Sequence, residues 1–242
     1  MCAIQLQKEQ VFVKSVAIIA AGGLGKRMRA DVPKQYLLLS GRPILTHTVA
    51  RFEAAQTIGE IILVVPPRET DYVAREIVEK YGISKVTDIV AGGKERQDSV
   101  RNGIRHIGSD VDIVAIHDGA RPFIVTELID AAVRKARDVG AVTLGVPVKD
   151  TVKRVREDGI IEETLKRDEI WLTQTPQVFA RDIIEDAYRW AYAGGYRATD
   201  DSRLVEMTGR AVGMIQGTYD NIKITTREDL LLAEAIIGGQ EQ

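Results

Sequence analysis

Six short runs of apolar, largely β-branched residues recur along the chain, at 16–20, 61–65, 86–90, 113–117, 141–146 and 211–215, and helix-period stretches separate most of them. Strands that are apolar on both faces must be covered on both faces. The succession therefore selects a mainly parallel, Rossmann-like sheet with helices on either side, the α/β class. Segment 126–138 shows the helical half: Leu128, Ile129, Ala132, Val133 and Ala136 form one apolar stripe, with Thr126 expected as N-cap and Gly140 as the stop. At 242 residues and 45% hydrophobic, the chain can bury a full core. One large domain over 16–240 is expected, behind an N-terminal tail at 1–15.

One region breaks the alternation. From Val148 to Thr175 the sequence reads as two polar-alternating strands around Asp158-Gly159, a strong hairpin signal. A lone two-stranded ribbon is marginal in water. The ribbon, about 148–175, is therefore expected to grip a second copy of the chain, the alternative being a ribbon folded back on its own domain.

The formal charge is −2, so nothing points to a nucleic-acid partner, and any cationic work must be local. The single cysteine, Cys2, supports neither a disulfide framework nor a cysteine metal site. No segment has the roughly 18–20 uninterrupted apolar residues of a membrane span, and the first residues lack the order of a secretory signal. A cytoplasmic setting without membrane contact is expected.

Four stretches carry candidate chemistry. In "AIIAAGGLGKRM" a strand runs into Gly22, Gly23 and Gly25 and then into Lys26 and Arg27, with Lys34 following. Such a strand–loop–helix offers unpaired N–H groups to phosphate, although a tight turn with ordinary surface cations would look the same. A dinucleotide fingerprint would need glycine where Met28 stands, and no Walker loop is present. "AIHDGARPFI" delivers His117 and Asp118 at a strand's carboxyl end. Asp118 is suited to hold Mg²⁺, directly or through water, or to cap a helix, while His117 reads as a packed core histidine. In "AGGKERQDSVRNGI", Gly92 and Gly93 let backbone approach a flat ligand that Lys94 or Ser99 could read, unless this is a solvated loop. In "DNIKITTREDLL", Thr226 and Asp229 have capping-box spacing, and Lys223 sits in an apolar context where snorkelling is the plainer reading.

Absences narrow the chemistry further. There is no Gly-x-Ser-x-Gly elbow and no usable cysteine, so covalent acyl chemistry has little support. Phosphoryl or nucleotidyl transfer needs neither. A phosphate monoester is largely ionised at neutral pH and can attack without a general base, leaving the protein to position, screen and stabilise.

Taken in order, "AAGGLGKRM", "PKQY", "GGKERQDSV", "HDGARP", "PVKDTVK", "TQTPQ", "ATDDS" and "DNIKIT" resemble the 2-C-methyl-D-erythritol 4-phosphate cytidylyltransferases of the non-mevalonate isoprenoid pathway, over nearly the whole chain. The resemblance implies transfer of a cytidylyl group from CTP to a sugar-alcohol phosphate, with Mg²⁺ as cofactor and pyrophosphate as by-product. It implies that Ala21, Gly22, Gly23, Arg27 and Lys34 meet the triphosphate, with Arg27, Lys34 and Lys223 catalytic. Gly93, Lys94, Ser99 and Gly119 would surround the nucleoside. Asp118, Arg121, Thr151 and Lys223 would hold the alcohol phosphate. The ribbon would be the arm of a homodimer, carrying Arg167, with Thr175, into the neighbour's site. Gly119 departs from the alanine common at its position. A ribitol 5-phosphate cytidylyltransferase and a non-catalytic nucleotide-binding module are the competing readings.

Overall fold

A computed structural model of the chain describes residues 13–23 and 33–240. Strand β1 (Ser15–Ala20) opens the fold, and after a 3-10 turn at Lys34–Tyr36 a small hairpin, β2 (Leu38–Leu39) and β3 (Arg42–Pro43), leads into α1 (Ile44–Ala54). Then follow β4 (Glu60–Val65), a short α2 (Thr70–Val73) that widens into a π-helical turn, β5 (Val86–Ala91), α3 (Arg96–Ile104), β6 (Ile113–Asp118) and α4 (Thr126–Val139). The second half comprises β7 (Ala141–Pro147), the ribbon strands β8 (Lys153–Val155) and β9 (Ile161–Thr164), β10 (Trp171–Ala180), α5 (Arg181–Gly194), α6 (Asp201–Met207), β11 (Gly213–Gln216) and α7 (Arg227–Gln240).

Seven strands form one sheet in the order β11-β7-β10-β6-β1-β4-β5. All run parallel except β10, which is antiparallel to both β6 and β7. Strand residues alternate between two apolar layers, as the two-faced apolar runs require. Ala17, Ile19 and Leu63 pack with Phe52 of α1 and Ile129 and Val133 of α4. Ile18 and Val64 face the other way, against Val100 of α3, Ile184 of α5 and Leu204 of α6. A smaller cluster of Leu39, Ile44, Phe123, Ile224 and Ala233 seats α7.

All six expected strands agree within two residues, five of them within one. The last begins at Gly213 rather than 211. Thr126 is the first residue of α4 and not its cap: Val125 holds the cap position and no side chain closes it, while Gly140 stops the helix with φ +86°. The capping box before α7 is present, with Asp229 N–H donating to Thr226 Oγ1 (3.2 Å) and Thr226 N–H to Asp229 Oδ2 (2.8 Å).

The ribbon differs more. Its strands are β8 and β9, joined by a longer loop in which Gly159 takes φ +82° and its N–H donates to Arg156 O. Residues 171–180, whose first part was expected to complete the ribbon, form β10 in the middle of the main sheet. Polar Gln174, Thr175 and Gln177 are buried there, which disguises a central strand as a surface one. Residues 1–12 of the expected tail lie outside the described residues.

His117 is the packed core histidine expected. It is fully buried, faces Phe52 with ring centroids 4.8 Å apart, and pairs in register with Ile19. Its Nε2 lies 3.1 Å from Arg121 O, so that nitrogen donates and Nδ1 accepts from the Thr175 hydroxyl at 3.0 Å. Thr175 Oγ1 in turn accepts the Asp118 N–H at 3.1 Å. Burial pushes the imidazole down to about 3 from an ordinary 6.5, and the ring is neutral in the fold.

Two stability predictions follow from this packing. Phe179→Ala, at a fully buried site, should cost about 3–5 kcal/mol in chemical denaturation, whereas Val155→Ala on the exposed ribbon should stay within about 0.5 kcal/mol. Because the folded His117 resists a proton that the unfolded chain accepts, its contribution is complete above about pH 6.5 and lost as pH falls toward 3. Below pH 6 the parent chain should therefore lose stability faster than His117→Gln by up to about 1.4 kcal/mol per pH unit, read from urea midpoints.

Candidate active site

Parallel strands place their carboxyl ends on one edge, and a ligand of an open α/β sheet sits beyond that edge. Ala20 pairs with Asp118 and with Val64, and Val65 with Ala91, so four strand ends are level. They deliver Ala21–Gly23, Pro66–Pro67, Gly93–Lys94 and Asp118 to the rim of a single cavity of about 500 Å³. Lys34 and Lys223 enter from the side of the 3-10 turn and the segment ahead of α7.

The loops are shaped by close contacts. Gln35 Nε2 donates to Ala21 O at 2.8 Å, tying the first glycine loop to the 3-10 turn. Ser99 Oγ accepts from Gly93 N–H and donates to Glu95 O, both at 3.0 Å, folding the second loop over the start of α3. A Cβ at Gly93 would overlap the Asp98 side chain, so this loop admits only glycine without rearrangement. Ser99 thus builds the loop while its side also faces the cavity.

Charge in the site is organised by Asp118, which is 6% exposed. Its Oδ1 accepts from Arg96 Nε at 2.8 Å, and its Oδ2 meets Lys223 Nζ at 2.8 Å and Arg121 Nε at 3.6 Å. Burial alone would raise the carboxyl, but Arg96 first, then Lys223 and Arg121, hold it well below the usual carboxylate range. Arg121 is itself anchored by donating to Asn221 O at 2.7 Å, and Lys34 Nζ donates to Ile224 O at 2.9 Å. Arg121 and Lys34 are thereby tied to the 221–224 segment that carries Lys223.

Of the expected site residues, Ala21, Gly22, Gly23, Lys34, Gly93, Lys94, Ser99, Asp118 and Lys223 line the one cavity. Gly119 lies beneath the first loop, where a Cβ would stand 2.8 Å from that of Ala21 and 3.1 Å from Leu45 Cδ1. Arg121 is partly buried beside Asp118. Thr175 was expected on the arm, but it sits in β10 under its own domain's Asp118 and His117, 4% exposed, and cannot reach another subunit. Thr151 and Arg167 are exposed at the root of the ribbon, where Arg167 Nη1 donates to Lys149 O at 3.3 Å. Arg27 falls outside the described residues. Arg96 was not singled out from its motif, nor was Gln35. The signal for both is position: each lies within four residues of a cavity-lining group on a loop or helix start.

Asp118 does not fit as a direct ligand for Mg²⁺. Both of its oxygens face cations, and among the described residues no group of three or more His, Cys, Asp or Glu side chains could hold a metal. Its observed role is to gather positive side chains.

The chain is similar to known proteins along nearly its whole length. The sequence profile of the 2-C-methyl-D-erythritol 4-phosphate cytidylyltransferase family matches residues 15–239. The chain is 48% identical over 228 residues to the enzyme of that name from Pelotomaculum thermopropionicum, covering 94% of this chain and 96% of the relative. It is 49% identical over 227 residues to that from Geotalea uraniireducens, with 93% and 97% covered. Among solved structures, 4-diphosphocytidyl-2C-methyl-D-erythritol synthase from Anaerococcus prevotii superposes with a TM-score of 0.85 at 34% identity, covering 94% of this chain and 97% of that one. The cytidylyltransferase from Thermus thermophilus superposes with a TM-score of 0.73 at 30% identity, over 93% and 98%. With its cation-lined cavity at the carboxyl edge of a mostly parallel sheet and a match along nearly its whole length, the chain belongs to the 2-C-methyl-D-erythritol 4-phosphate cytidylyltransferase family.

Proposed function

We infer that this chain transfers the cytidylyl group of CTP to 2-C-methyl-D-erythritol 4-phosphate, giving 4-diphosphocytidyl-2-C-methyl-D-erythritol and pyrophosphate. The observation that carries the reading is family membership over residues 15–239 together with a cavity into which Lys34, Lys94 and Lys223 open beside Asp118. A phosphate oxygen of the alcohol phosphate attacks the α-phosphorus of CTP. The new P–O bond forms as the bond to the β-phosphate breaks, and its electron pair leaves with pyrophosphate. Negative charge accumulates on the α-phosphoryl oxygens during the step. Cations fixed in advance stabilise it without reorganising.

Lys34 and Lys223 are the described candidates for that task, and Arg27 is proposed to join them. The glycine backbone of the first loop is proposed to cradle the triphosphate, and the second loop with Ser99 to face the nucleoside. Mg²⁺ is proposed as a companion of the CTP phosphates, since it prefers phosphate oxygens and water. No step is assigned to a metal held by side chains.

The ribbon supports a homodimer. Every residue of β8 and β9 is exposed, and Val155, Ile160 and Ile161 present apolar side chains at its tip. A ribbon this short is not stable by itself. We propose that it packs on a second copy and carries Arg167 toward that copy's site. Among the described residues no helix is long and apolar enough to cross a membrane, and a cytoplasmic setting is proposed.

Purified protein given CTP, Mg²⁺ and methylerythritol phosphate should release pyrophosphate, and ribitol 5-phosphate should be a poor replacement; faster turnover of ribitol phosphate would reverse the substrate assignment. Lys34→Ala should lower kcat about a hundredfold or more with the fold intact by circular dichroism. Mixed dimers of Lys34→Ala and Arg167→Ala chains should recover one working site per dimer, and no recovery would confine the arm to its own subunit.

A further inference from the structure

The "ATDDS" motif supplies two neighbouring carboxylates that do different things. Asp200 is a helix cap: its Oδ1 accepts from Arg203 N–H at 2.9 Å, closing the start of α6, and its Oδ2 accepts from the Gln177 side-chain Nε2 at 2.9 Å. Asp201 caps nothing. It is 1% exposed, accepts the Tyr188 hydroxyl on Oδ1, and places Oδ2 2.8 Å from Arg96 Nη2. Its own N–H and that of Ser202 are fixed by Gln177 Oε1, both at 2.9 Å, so the carboxylate is bolted to β10.

Arg96 therefore spans two carboxylates, Nε on Asp118 and Nη2 on Asp201, while its side chain, 26% exposed, borders the cavity. Burying such a pair is poor value as stabilisation, because desolvation offsets most of the attraction. What a planar fork between two fixed anions does secure is orientation, which a lysine could not reproduce. The charge balance matters as well. Asp118 and Asp201 face Arg96, Arg121 and Lys223, leaving one net positive charge; removing Asp201 would leave two, with Arg96 held by Asp118 alone and its Nη2 end released toward the triphosphate.

We propose that Asp201, which does not line the cavity, is a positioning residue for cytidylyl transfer: through Arg96 it fixes the Asp118 carboxylate against Lys223 and holds the Arg96 guanidinium off the triphosphate. The proposal rests on the transfer reaction inferred above. It separates binding from turnover, because a released Arg96 still attracts CTP while Asp118 and Lys223 lose their register.

The test compares the parent chain with Asp201→Asn, Arg96→Gln and the double variant, measuring pyrophosphate release and, separately, CTP binding by calorimetry. Asp201→Asn should lower kcat at least tenfold while the Kd for CTP stays within threefold or tightens. In the Arg96→Gln background the same change should cost less than twofold, since its effect passes through Arg96. Additive losses, or a Kd that weakens in step with kcat, would overturn the positioning role. Should Asp201→Asn not fold, Arg96→Lys carries the decision: it keeps the charge but not the fork, and unchanged kcat would sink the proposal. A parent chain that turns over CTP beside an equally active Asp201→Asn would refute this inference while leaving the reaction itself standing.

Discussion

One buried carboxylate meeting three cations is the interaction on which the site depends. Asp118 draws Arg96 from the start of α3, Arg121 from the β6–α4 connection and Lys223 from the segment ahead of α7. Without a shared anion these groups would repel one another across a low-dielectric wall, where charges a few ångströms apart interact far more strongly than in water. With it, three distant segments converge, and the surplus of positive charge faces the cavity. A site for a triphosphate needs this inequality: enough negative charge to assemble the cations, too little to neutralise them.

Beneath that carboxylate the support is neutral and polar. His117 and Thr175 hand hydrogen bonds from Arg121 O to the Asp118 N–H, and Asn221 Nδ2 donates to Thr175 O at 2.9 Å. Each of these four donors faces an acceptor, which is the condition for polar groups to rigidify rather than destabilise an interior. Gly119 belongs to the same floor. Its hydrogen in place of a methyl lets β6 close on Ala21 and Leu45, so an alanine there would need these atoms to shift.

The apolar strands were legible in the sequence because burial on two faces leaves an unmistakable run, and their carboxyl ends located the glycine loops and Asp118 without any structure. Strand β10 was not legible. Its centre reads Thr-Gln-Thr-Pro-Gln, and the signal that it is buried lies in partners that are distant along the chain, such as Thr143 for Gln177 and Thr218 for Gln174. That single omission also put Thr175 on the ribbon. Arg96 was hidden for a related reason: a charged residue at a helix start looks solvated until two carboxylates from other elements are seen around it. The motif resemblance pointed to Asp118, Lys34 and Lys223, which line one cavity, whereas the cations on both Asp118 oxygens leave no place there for a directly bound Mg²⁺.

The exposed ribbon has a consequence for how sequences of this kind drift. Inside the domain, nearly every side chain is constrained by what it touches, and a change is felt at once by the fold. Along β8 and β9 all seven residues are open to solvent, so the chain's own interior exerts no selection on them. What holds them in place within the chain is the ribbon's own cross-strand pairing, Arg154 with Glu163 at 2.8 Å and Lys153 with Thr164 at 2.6 Å, so under the proposed dimer any further pattern along it would be the imprint of a second copy.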